Sequence, residues 1–233
     1  MRIIVNDKRL FKAALKPVSC RKEITIDAMH SKVIVSSHGF SHGQCSFYLA
    51  IDAEVSGIPT DSDHLVFSVN PSHLFEGVLL LDVYDILVAD CMKLTDLKST
   101  IMIPFISTVG TEYEDVGVPV TKCVLAPRIA VKLGMLRGIV VYEAAQSRLI
   151  VKKNTCDGID EVEIIHTEFL VNGDLKFKCN NDWTDLLDAF EEHSESVMLT
   201  FSSSILSVQF LLKNHTEGYL EIQVPRMVAD QFM

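Results

Sequence analysis

The chain has 233 residues, 48% of them apolar and 22% charged, a globular balance that excludes a disordered protein. That length holds one large domain or two of about 115 residues each. With 31 acidic against 21 basic residues the formal net charge is -10, so the surface as a whole repels phosphates and only a local basic face would meet nucleic acid.

Residues 2–6 read as a strand and are followed by a helix from about Lys8 to Val18, whose Leu10, Phe11, Ala14, Leu15 and Val18 recur at helical spacing. Strand-like runs come next at 23–29, 32–36 and 44–55, the last with Phe47, Leu49 and Ile51 alternating. After the turn-rich stretch 57–63 the order restarts. A strand at 65–69 leads into Asn70-Pro71, an N-cap followed by proline at the first helical position, and a short helix with Leu74, Phe75, Val78 and Leu79 on one side. Strands follow at 84–89, around 92–97, and at 100–105. Residues 106–122 lack sustained periodicity and hold two glycines, one proline and three acids, the composition of a linker.

The same order then returns. A strand at 120–125 precedes Pro127, which opens a helix to about Leu136. Strands at 139–144, 148–153, 161–170 and 174–179 lead to Asn181 as N-cap of a helix over 182–193. Strands at 197–202, 205–213 and 219–224 close the chain. The four helices start near residues 8, 71, 127 and 182, at spacings of 63, 56 and 55, and each follows a strand and precedes two or three more. A regular return of this kind indicates internal repetition. The predicted fold class is α+β, with two similar domains, 1–105 and 120–233, joined by a connecting loop at 106–119; each would pack two helices on antiparallel sheets. The competing reading is an unrelated α+β enzyme or ligand-binding protein whose spacing is accidental.

No stretch spans a membrane, since the most apolar one, 78–89, is interrupted by Asp82 and Asp85. Charge at Arg2, Asp7 and Lys8 leaves no room for a secretory signal, so an intracellular location is expected. Cys20, Cys45, Cys91, Cys123, Cys156 and Cys179 are scattered without a C-x-x-C pair, which suggests neither a zinc site nor a disulfide framework. The segment Ser37-His38-Gly39-Phe40-Ser41-His42-Gly43 is the one arrangement that invites catalysis, with two histidines near a serine. It lacks the glutamate of an H-E-x-x-H metal helix, and no G-x-S-x-G, Walker A or G-x-G-x-x-G motif occurs, so a turn between strands is the better reading. No metal, cofactor or catalytic residue is expected.

This order of elements resembles the sliding clamps of DNA replication. The opening run Met-Arg-Ile-Ile-Val-Asn-Asp-Lys-Arg-Leu-Phe-Lys-Ala-Ala-Leu-Lys looks like a clamp's first strand and pore helix, and the run from Trp183 through 197–201 to Pro225-Arg226 looks like its closing helix and strands. Two domains per chain are similar to proliferating cell nuclear antigen, archaeal clamps and T-even-type phage clamps, which close as trimers. The resemblance implies a ring with helices lining the hole, double-stranded DNA, DNA polymerase and an ATP-driven clamp loader as partners, a homotrimer, and no cofactor. It also implies a site in the cytoplasm, of the host for a phage, or in the nucleus for a eukaryote. A subunit of a heteromeric, checkpoint-type ring is the alternative.

The implied DNA-facing residues are Lys8, Arg9, Lys12 and Lys16 on the first helix, Arg21 and Lys22 just after it, and Arg128 and Lys132 on the third. The first 22 residues hold seven of the 21 basic residues and a single acid, Asp7. Such a face would hold the phosphate backbone without reading bases; a merely solvated basic face is the competing reading. The second helix would expose Ser72, His73, Glu76 and Gly77, and the fourth Asp185, Asp188 and Glu192, an acidic stripe that departs from the family pattern. Residues 160–195 hold eleven acids and two lysines. Ring closure would pair the edges 99–105 and 161–169, through Ile101, Ile103 and Phe105 on one and Val162, Ile164 and Thr167 on the other. A pocket for partner peptides would take His38, Phe40, Val116, Val118, Pro225 and Met227.

Overall fold

The computed structural model describes residues 1–38, 45–81, 85–107, 115–133, 136–145, 148–156, 158–164, 167–181, 190–215 and 218–227. Two compact units emerge, one made of Met1–His38, Phe47–Tyr113 and Asn214–Tyr219, the other of Gly39–Ser46, Glu114–Lys213 and Leu220–Met233.

Unit 1 opens with β1 (Arg2–Val5) and α1 (Lys8–Val18). It continues through β2 (Ile24–Met29), β3 (Lys32–Ser37), β4 (Ser46–Ser56) and β5 (His64–Val69) to α2 (Pro71–Leu80). It closes with β6 (Asp85–Val88), β7 (Met92–Thr95), β8 (Thr100–Ile103) and β9 (Phe105–Ser107). Its strands pair in the order β9-β5-β2-β3-β4-β1-β6-β7-β8, antiparallel throughout. The first and last members of that order are joined by Pro104 alone, so the sheet has to curve until its two ends meet. Proline causes the break: it has no N–H for the ladder, and the chain leaves β7 to pair with β5. Phe105 then stacks on Phe67 with ring centroids 5.0 Å apart.

The helices sit where their apolar stripes dictate. Asp7 caps α1 by accepting the Leu10 N–H at 2.8 Å, and Leu10, Phe11, Ala14, Leu15 and Val18 are buried. Asn70 caps α2 in the same way through the N–H groups of Ser72 and His73. The two helices pack side by side. Gly77 is buried rather than exposed, because α2 approaches β7 and β8 so closely that a Cβ there would lie 2.6 Å from Leu94 Cδ1.

Unit 2 runs β10 (Thr121–Leu125), α3 (Pro127–Leu133), β11 (Ile139–Ala145), β12 (Arg148–Thr155), β13 (Gly158–Ile164), β14 (Glu168–Val171), β15 (Leu175–Asn180), β16 (Ser194–Phe201), β17 (Ile205–Leu212) and β18 (Tyr219–Pro225). It forms a five-stranded array β14-β10-β16-β17-β18 and a four-stranded sheet β13-β12-β11-β15. These neighbours repeat those of unit 1. β10, β11, β12, β15, β16, β17 and β18 take the places of β1, β2, β3, β5, β6, β7 and β8, while β13 and β14 together take the place of β4. Even the last turn repeats. Beyond β18 the Met227 N–H donates to the Lys178 carbonyl on β15 at 2.8 Å, as β9 joins β5. The expected continuous strand over 161–170 is thus two strands, and α3 is described over Pro127–Leu133, with Leu136, its expected end, in a bend. Residues 182–189, the body of the expected fourth helix, lie outside the described residues, and Phe190–His193 form a turn.

Where β10 begins, the chain passes close to the residues after β14. The Thr121 hydroxyl donates to the Gly173 carbonyl at 2.7 Å, and a Cβ on Gly173 would collide with the carbonyl oxygen of Val120. Backbone cannot rotate aside as a side-chain end can. Gly173→Ala is therefore expected to destabilise unit 2 by about 1–3 kcal/mol, measured by denaturant titration; an unchanged midpoint would show that the approach relaxes freely.

Among the described residues no helix is long and apolar enough to cross a membrane. All six cysteines are free thiols, and burial pushes the Cys123 thiol up to about 12.

Candidate nucleic-acid interface

With one side of α1 anchored in the core, the opposite side is left to water. Arg9, Lys12 and Lys16 are exposed and Lys8 is half-buried; in the turn that follows, Arg21 is half-buried and Lys22 exposed. Lys8, Lys12 and Lys16 recur every four residues, so like charges stack along one face. Each such pair costs a helix about 0.2–0.5 kcal/mol. An anion laid along the face would offset that cost. On α3, Arg128 and Lys132 are likewise exposed and four apart. The exposed Arg137, in the turn beyond, is not marked by residue spacing alone. The signal that could find it is the repeat itself, because Arg21 and Lys22 occupy the turn beyond α1. The α2 surface is close to neutral: His73 and Glu76 are exposed, and the Ser72 hydroxyl donates to Glu76 Oε1 at 3.3 Å. Of the expected acidic stripe only Glu192 is described, and it is exposed; Asp185 and Asp188 lie outside the described residues.

The turn beyond α3 is held from a distance. Asn181, fully buried, donates from Nδ2 to the carbonyls of Leu133 (3.0 Å) and Leu136 (2.9 Å), while its Oδ1 accepts the Tyr142 hydroxyl at 2.8 Å. Its backbone N–H donates to the Gly138 carbonyl at 2.7 Å. The body of the helix that Asn181 is expected to cap lies outside the described residues; within them, its amide nitrogen reaches the end of α3 and the turn beyond, 45 to 48 residues earlier.

β8 and β13 each end their strand order. Six of the seven β13 residues, all but Ile164, are exposed, and Met102 projects from β8. Ile103 and Ile164, expected as contacts between chains, are instead buried in their own units; Ile103 lies on the inward face of β8, and Ile164 enters the core at the end of β13. Phe105 belongs to β9, beyond Pro104, and packs on Phe67. Thr167 lies between β13 and β14 and donates its hydroxyl to the Ile164 carbonyl. Ile101 is half-buried, leaving Val162 as the exposed member of the expected set. Cross-strand ion pairs neighbour β13: Lys152 meets Glu143 at 2.6 Å and Glu161 at 3.7 Å, and Arg148 meets Glu163 at 3.6 Å. The hydrogen bond from Lys152 holds the Glu143 carboxyl below its ordinary range, and the same bond raises the Lys152 ammonium.

Of the expected peptide-binding residues, His38 belongs to unit 1, where its Nδ1 lies 3.2 Å from the Tyr48 hydroxyl. Val116, Val118, Pro225 and Met227 belong to unit 2; Val118 is 87% exposed and the others are half-buried. Phe40 and the second histidine of its segment, His42, lie outside the described residues. Among the described residues no group of three or more His, Cys, Asp or Glu side chains is placed to hold a metal ion.

No protein-family model and no curated protein matches the sequence. Solved structures do. A chain of the PCNA2–PCNA3 complex from Sulfolobus tokodaii superposes with a TM-score of 0.75 at 14% identity, over 97% of this chain and 99% of that one. Proliferating cellular nuclear antigen from Entamoeba histolytica superposes with a TM-score of 0.73 at 13% identity, over 97% and 98% of the two chains. With the repeated strand order of its two units, this full-length likeness establishes that the chain has the proliferating-cell-nuclear-antigen fold of DNA sliding clamps.

Proposed function

We propose that this chain is the subunit of a sliding clamp, a non-enzymatic homotrimeric ring that encircles duplex DNA without reading its sequence and tethers DNA polymerase to its template. The observation that carries this reading is the basic face of α1, three exposed cations on a helix whose opposite side is wholly buried, in a fold shared with known clamps. Cations that contact only phosphates hold DNA without fixing a register, which permits sliding. Closure would pair β8 of one copy with β13 of the next, both being ends of a strand order among the described residues. A separate ATP-driven loader would open the ring, and the apolar residues Val118 and Met227 are among those offered to partner peptides. Such a protein acts inside the cell, where the genome is copied.

The test is mass and processivity together. The protein alone is expected to have a solution mass near three times 26.0 kDa and, with a loader supplied, to lengthen the products of a polymerase. A stable monomer that leaves product length unchanged would defeat this reading. A heteromeric ring is the second reading, favoured by the exposed acids of β13 and by the likeness to one chain of a two-component archaeal complex. It predicts a monomer that becomes active only with a second clamp subunit.

A further inference from the structure

We infer that Asn181 is a positioning residue for DNA contact: it holds the end of α3 so that Arg128, Lys132 and Arg137 present their charges together. The inference rests on the clamp reading above. The seven described residues of α3 are few for a helix to hold by its own hydrogen bonds, and the carbonyls at its end, Leu133 (which also accepts the Leu136 N–H at 3.1 Å) and Leu136 in the turn beyond, draw on outside donors. One buried amide supplies them. Asn181 Nδ2 bridges the Leu133 and Leu136 carbonyls, and the Asn181 backbone N–H takes the Gly138 carbonyl, so Arg137 is bracketed on both sides. Gly138 has φ +83, a left-handed conformation that suits glycine and sharpens the turn back into β11. The amide itself is oriented by the Tyr142 hydroxyl, whose ring is fully buried against Phe201. By contrast α1 runs 11 residues, with its own cap at Asp7 and the Ser19 N–H and hydroxyl on the Lys16 carbonyl. The basic face of α1 is thus held locally, whereas the end of α3, beyond its own bond from Leu136 to Leu133, is tied as well to a residue 45 to 48 positions away in the chain.

The experiment measures the salt dependence of duplex DNA binding by the assembled protein. Asn181→Asp keeps the acceptor for Tyr142 but turns the donor into an oxygen that repels both carbonyls. Tyr142→Phe removes one buried oxygen, keeps the ring in place, and serves if the first variant does not fold. Each is made in the wild-type chain and in an Arg128→Ala, Lys132→Ala, Arg137→Ala background. In the wild-type chain the slope of log affinity against log salt is expected to flatten by up to about 0.9 for each phosphate that is no longer neutralised. In the triple-alanine background neither variant should flatten it further. An equal effect in both backgrounds would mark a general structural role and overturn the inference, as would no effect in either. Should the triple-alanine chain itself bind as wild type while α1 variants bind poorly, positioning by Asn181 falls and the clamp reading stands. If the α1 variants are silent as well, the clamp reading itself fails.

Discussion

Replacing Arg9, Lys12 and Lys16 together with glutamate is expected to release duplex DNA while leaving the assembled mass unchanged. All three side chains are exposed on α1, so the substitution reverses charge without touching the buried stripe of Leu10, Phe11, Ala14, Leu15 and Val18. Glutamate matches lysine and arginine in helix propensity, and the cost of an acid near the helix C-terminus, at position 16, is a few tenths of a kcal/mol up to about 1. The fold therefore survives. On the clamp reading, DNA retention is expected to fall, because the affinity of a protein that holds phosphates comes largely from releasing the counterions condensed on them. The slope of log affinity against log salt is expected to flatten by about 0.9 for each phosphate left without its cation, and the added negative charge should lower affinity further at every salt concentration. Titration of a labelled duplex across a range of salt checks this. Wild-type affinity and slope in the triple variant would show that α1 does not meet DNA.

Phe201→Ala is expected to cost about 3–5 kcal/mol, a large part of the 5–15 kcal/mol typical of a folded domain. Phe201 on β16 is fully buried and joins the two sheets of unit 2: its ring lies 5.3 Å from that of Tyr142 on β11 and 5.6 Å from that of Phe177 on β15. Truncation removes both aromatic neighbours' partner ring and leaves a cavity between strands whose backbones are fixed by ladders on either side, so the site collapses little. Urea titration followed by circular dichroism would show a lower midpoint with an unchanged slope. Phe201→Leu, which retains most of the volume, should lose far less. A loss under about 1 kcal/mol for the alanine variant would mean that the sheets close over the gap.

Much of this architecture is legible in the residues. The 3.6-residue recurrence of apolar positions marks α1, and Asn70-Pro71 marks the start of α2, because caps and stripes are local properties of the backbone. Burial is harder to read. The alternation in 100–105 separates two faces of a strand but does not say which face another element covers, so Ile103 reads as a contact between chains when it is core. Gly77 reads as exposed from a helical wheel alone, whereas the close approach of α2 to Leu94 decides otherwise. Pro104 and the end of β13 at Ile164 divide what alternation presents as single strands, each at a place where the chain changes its pairing partner.

The two kinds of information divide along the range of the forces involved. Sequence alone determined the clustering of seven of the 21 basic residues in the first 22, the repeated order of strands and helices, and the excess of acid over base. Each depends only on neighbours in the chain. Tertiary structure decided which apolar residues face water on β8 and β13, and that the end of α3 is capped by an asparagine far along the chain. Those outcomes require contacts between segments that sequence spacing does not bring together. Net charge of -10 is a property of the whole surface, but phosphate binding is governed by the charges within about one Debye length, roughly 10 Å at 0.1 M salt. The burial of one side of α1 is what turns a cluster of lysines and arginines in the sequence into a basic surface.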